Sequence, residues 1–110
     1  MPILSVRVEA FKPLRSNTLF GFADLVIPEM RLCIRDTSVH ESHGKRWVGL
    51  PAKPQIDRDG VVRRDERGKI LYAAVLQFTD RVAGDAFSAR SIEALLADYP
   101  HVFTDRETAR

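Results

Sequence analysis

A chain of 110 residues, 45% hydrophobic and 29% charged, has room for one core, and that balance excludes a disordered tract. Seventeen basic against fifteen acidic residues give a net charge of +2, far from the surface of a strongly basic nucleic-acid binder. No apolar run reaches the length of about 18 residues that a membrane span needs. The opening MPILSVRVEA has no basic n-region and gains charge at Arg7 and Glu9, which argues against a signal peptide. Cys33 is the single cysteine, so no internal disulfide forms and a reducing, cytoplasmic setting is expected. Basicity leans slightly forward, with eight Lys/Arg against five Asp/Glu in residues 1–55.

In chain order, ILSVRVEAF (3–11) alternates with period two. That predicts a strand with Leu4, Val6, Val8 and Ala10 on one face and Ser5, Arg7, Glu9 and Phe11 on the other. Lys12 to Asn17 contains Pro13 and reads as a loop. TLFGFADLVI (18–27) predicts a second strand, ended by Pro28, and Pro28-Glu29 a tight turn. MRLCIRDT (30–37) follows as a third, with Met30, Leu32 and Ile34 opposite Arg31, Cys33 and Arg35. An antiparallel meander is the simplest joining of the three. SVHESHGK (38–45) reads as a polar loop and RWVGL (46–50) as a short fourth strand.

PAKPQIDRDGVVRRDERGK (51–69) carries charges that nearly cancel, and a solvated loop is expected. Asp59-Gly60 would suit a two-residue hairpin, since glycine tolerates positive φ. No internal repeat or low-complexity tract is expected along the chain. ILYAAVLQF (70–78) fits a helical stripe through Leu71, Val75, Phe78 and Val82, or a buried strand. Strand is favoured, because Gly68 precedes it and Thr79-Asp80 supplies a break with N-cap chemistry. A helix is predicted over 81–98, where Ile92, Leu95, Leu96 and Tyr99 keep helical spacing and Pro100 ends it. Residues 104–110 read as a tail behind a single domain, 1–103. The expected fold is thus α+β: a curved antiparallel sheet of about five strands, packed by one C-terminal helix that covers only part of it.

On the face opposite the core, alternation would gather Arg7, Arg31 and Arg35. Lys45 shares a face with Trp47, and Phe20 with Phe22. With Arg46 and Lys53, these make a candidate nucleic-acid surface: cations follow phosphates, and rings stack on bases for about 1–3 kcal/mol each. Trp47 and Phe22 also suit burial between two copies. In that reading the chain is a structural or protein-interaction module whose exposed sheet face is a homo-oligomer interface. His40 and His43 are too few for a zinc site even with Cys33 and Asp36 nearby. The Asp57–Asp59–Gly60 run fails as a calcium loop because Gly68 stands where a bidentate glutamate belongs. Cys33 shows no thiolate activation, and there is no nucleophile elbow, phosphate loop or dinucleotide fingerprint. No enzyme activity, cofactor, metal or small-molecule substrate is expected.

Val6-Arg7-Val8, Ile34-Arg35-Asp36 and Trp47-Val48-Gly49-Leu50-Pro51 followed by Lys53 resemble, in order and character, the stage V sporulation protein G (septation regulator) family, over about residues 4–98. The resemblance implies a small sheet-plus-helix homodimer that binds DNA as a bacterial transcription regulator; the interleaved cations and rings suit single-stranded DNA as that partner. The chain departs from the family in a longer 52–69 loop and in Glu93 and Asp98 on its helix. In architecture alone it also resembles single-strand binders of the positive-cofactor-four and Whirly type.

Overall fold

The computed structural model describes residues 5–104. Four strands, β1 (Arg7–Ser16), β2 (Leu19–Ile27), β3 (Leu32–Ser42) and β4 (Lys45–Gly49), form an antiparallel sheet in chain order. Two short strands, β5 (Ala52–Pro54) and β6 (Tyr72–Ala74), pair separately, and one helix, α1 (Arg81–Asp98), follows. The fold is therefore α+β, with four strands and a separate pair in place of a single sheet of five.

The connections are tighter than composition suggests. The stretch 38–45, expected as a loop, is continuous strand on both sides of His43-Gly44. Both turn residues have positive φ, 51° and 82°, as a two-residue hairpin matched to strand twist requires. Likewise β1 runs to Ser16 through the expected loop at Lys12, and Asn17 turns in the left-handed region at φ 53°. Pro28–Met30 forms a 3-10 turn, as the tight turn at Pro28-Glu29 anticipated, but Met30 and Arg31 lie outside β3. Of residues 70–78, only 72–74 are strand; Leu76 packs on the core, and Gln77 and Phe78 lead irregularly to the helix.

The helix occupies the predicted span. Asp80 caps it, its carboxylate accepting from the Ala83 N–H at 3.1 Å, which fills one orphan donor of the first turn. Phe87, Ile92 and Leu95 point at the sheet and pack on Val8, Ala23, Leu25, Ile27, Ile34 and Val39. The Ser88 hydroxyl oxygen accepts the Val48 N–H at 3.0 Å, tying helix to edge strand. Beyond the helix, Phe103 is buried edge-on against Phe20. Among the described residues no helix is long and apolar enough to cross a membrane. Leu4 and the tail from 105 lie outside the described residues.

Four one-residue irregularities decide the faces. Opposite Leu25-Asp24, β1 carries an extra residue at Glu9, and opposite Gly21–Leu19 it carries another between Pro13 and Ser16; opposite His40-Val39, β2 carries one at Phe20; opposite Ala23-Leu25, β3 carries one near Asp36, whose φ is 59°. Each reverses the alternation beyond it.

Candidate nucleic-acid interface

Register places five rows of side chains across the sheet face away from the helix. Arg7, Val26 and Cys33 form the first, and Ala10 and Asp24 the second, beside Arg35. Lys12, Phe22, Ser38 and Gly49 make the third; Leu19, His40 and Trp47 the fourth; Ser42 and Lys45 the last. With strands about 4.8 Å apart and same-face residues about 7 Å apart along them, Arg7 and Lys45 stand on the order of 30 Å apart at opposite corners.

The centre of this face is aromatic. His40 and Trp47 stack with rings 8° from parallel and centroids 5.2 Å apart, and Phe22 lies in the adjoining row. Thr18 Oγ1 sits 2.9 Å from His40 Nδ1 and fixes the ring. Partial burial holds the His40 pKa below its ordinary 6.5, so the imidazole is neutral at pH 7. Trp47 is 36% exposed, which leaves ring surface open to solvent on the edge strand. Gly49 keeps the neighbouring position low: a Cβ there would meet Ser38 Oγ at 2.6 Å. The result is a shallow step of indole, imidazole, hydroxyl and bare backbone, with Lys45 at one side and Lys12 at the other.

The expected cations divide. Arg7, Arg35 and Lys45 lie on this face, but Arg7 bonds Glu9 at 3.1 Å and Arg35 bonds Asp24 at 3.1 Å. Arg31 ends the 3-10 turn in the left-handed region at φ 52° and is not a sheet residue. Arg46 lies on the helix side. It pairs in register with Glu41, bonds that carboxylate at 2.9 Å and lies 4.7 Å from the Phe103 ring centre. Adjacent strand residues point to opposite faces, so Arg46 and Trp47 do not share one. Phe20 also parts from Phe22, because the extra residue in β2 turns it into the core, where Arg15 stacks on it at 4.0 Å. Lys53 belongs to the β5–β6 pair.

Two members of the face escaped the sequence. Lys12 reaches it only because Glu9 is bulged; simple alternation from Arg7 puts Phe11 there, yet Phe11 packs against Tyr99 on the helix side. His40, expected in a polar loop with His43, is a strand residue stacked on its cross-strand partner Trp47. The available signal was His43-Gly44 itself: as a two-residue hairpin turn it sets His40 opposite Trp47. Among the described residues no three His, Cys, Asp or Glu side chains converge as a metal-ligand set. No family model, curated protein or solved structure matches the chain.

Proposed function

We propose that the chain is a small non-enzymatic nucleic-acid-binding protein that takes a single strand across the outer face of its sheet. The observation that carries this is the His40–Trp47 stack, with solvent-exposed indole beside Lys45 and the Lys12–Phe22 row. A nucleobase laid on Trp47 would extend a stack that the protein has already begun, with no ring left to be ordered on binding. Lys12 and Lys45 have no ion-pair partner among the described residues, so phosphates would meet them without displacing a carboxylate. The motifs shared in character with the stage V sporulation protein G family support DNA as the nucleic acid and transcription regulation in a bacterial cytoplasm as the setting.

The test is titration of labelled single- and double-stranded oligonucleotides at two salt concentrations. Binding that weakens with salt is expected, and Trp47→Ala should lower affinity for the single strand by roughly 5- to 150-fold, the worth of one stacked base. Trp47→Phe should recover part of it. Absence of binding at low salt, or binding indifferent to salt, refutes the reading.

A second reading, association with another copy, is favoured by a different surface from the one the sequence suggested. Between the end of the sheet and the first half of the helix lies an apolar groove of about 480 Å³, walled by Ile27, Leu32, Ile34, Leu76 and Phe87. Met30, Phe78 and Val82 stand exposed along it. A second copy laid there would cover apolar surface that one helix leaves open, and the two readings are compatible because groove and stack occupy opposite faces.

A further inference from the structure

Residues 52–69, expected as a solvated loop, are built, and with 70–74 they form one ordered arm. Gln55, Arg63 and Leu71, eight apart in sequence, close a ring of backbone hydrogen bonds. The Arg63 N–H donates to Gln55 O at 2.9 Å, Leu71 to Arg63 O at 2.9 Å, and Gln55 to Leu71 O at 2.8 Å. Three antiparallel ribbons leave this ring. One is β5–β6, which joins the arm to the body; the others are hairpins bridged at Ile56–Val62 and Arg64–Ile70.

The two hairpins are the same device used twice, an internal repeat of eight residues that composition hid. Asp57 Oδ1 accepts from the Asp59 and Val61 N–H groups at 2.8 and 3.0 Å; Asp65 Oδ1 accepts from Arg67 and Lys69 at 2.8 and 2.9 Å. Gly60 and Gly68 close the turns with φ of 81° and 84°, a conformation that glycine adopts without strain. Turns pinned in this way fix the backbone from which the tip side chains project before any partner arrives.

The charge of the molecule sits here. Residues 53–69 carry six Lys/Arg against four Asp/Glu, so the arm accounts for all of the net +2, and the remaining residues balance at eleven against eleven. Among the described residues, none of the arm's cations is in a salt bridge, whereas Arg7, Arg35, Arg46 and Arg81 of the body each are. Arg63 and Arg64 are oriented by neutral acceptors, Gln55 Oε1 at 3.2 Å and Gly68 O at 2.9 Å. Asp57 and Asp65 are turned inward onto turn amides; the hairpin tips present Arg58 beside Asp59 and Arg67 beside Glu66, all exposed and none in a salt bridge among the described residues, with Lys69 as the further cation.

We infer that this three-ribbon arm is a second nucleic-acid contact, a preorganised cationic surface that grips the sugar–phosphate backbone through Arg58, Arg67 and Lys69. The inference rests on the nucleic-acid reading of the sheet face and adds to it: the face supplies stacking, and the arm supplies most of the phosphate contacts. A chain of phosphates suits the arm because it offers repeated negative charge to cations fixed on separate rigid ribbons.

The test compares the full chain with a variant carrying Arg58→Ala, Arg67→Ala and Lys69→Ala. All three side chains are exposed, and the turns use only the backbone of these residues, so the fold survives. Affinity for a labelled single-stranded oligonucleotide is measured across a salt series, with Trp47 fluorescence followed at saturation. Each lost phosphate contact should make the plot of log affinity against log salt shallower by about 0.7, hence about 2 for the triple variant, with quenching at saturation unchanged. An unchanged slope with binding retained overturns the arm contact and leaves the sheet-face reading standing. No binding by the unaltered protein overturns both. A changed oligomer mass with an unchanged slope also overturns it, making the arm a protein contact.

Discussion

Thr37 is fully buried on the helix side of β3, and its hydroxyl has no hydrogen-bond partner among the described residues. An unpaired buried hydroxyl costs its desolvation and returns nothing. Thr37→Val keeps the branched shape and the β preference while removing the polar atom. It should stabilise the protein by about 1 kcal/mol, seen as a rise of about 4–8 °C in thermal midpoint. The opposite case is His40, whose polar atom is paired with Thr18 and whose ring is neutral through burial. Protonation would set a cation in a partly buried stack. Its contribution to stability is therefore complete above its ordinary 6.5 and is lost as pH falls through the lower folded value.

At the scale of elements, the sheet is bound to its helix by two kinds of contact. Phe87, Ile92 and Leu95 supply apolar burial, which is strong but indifferent to exact position. Position comes from the Ser88 hydroxyl on the Val48 N–H, a bond between the helix and the outermost strand. Ser88→Ala would strand that N–H on the helix side of β4. A loss of about 1 kcal/mol is expected, read as a lower urea midpoint with an unchanged slope. The bulged residues act at the same scale. A bulge costs a ladder bond or two but re-aims every side chain beyond it, and here it brings Lys12 to the outer face and turns Phe20 inward.

For the whole molecule, one helix cannot cover a four-stranded sheet, and the uncovered end appears as the groove between Ile27, Leu32 and Phe87. Val82, 74% exposed in the first helical turn, is the place to test what covers it. Val82→Asp should leave folding intact, because a carboxylate near a helix N-terminus is favourable. If two copies meet at the groove, light scattering should show this variant monomeric at concentrations where the unaltered chain is a dimer. A variant that remains dimeric removes the groove as the interface.

What the sequence settled by itself was local. Period-two alternation marks where strands run, and Asp80 with Pro100 marks where the helix begins and ends, because both depend on neighbours along the chain. The Asp-x-x-Gly turns at 57 and 65 were written there too, hidden by their charges. Which side chains share a face was settled only in three dimensions. A bulge is an extra residue relative to a partner strand, and nothing in Glu9, Phe20 or Asp36 alone reveals it. The ring through Gln55, Arg63 and Leu71 is likewise a property of three segments meeting, and it turns a stretch of nearly cancelling charge into an ordered arm.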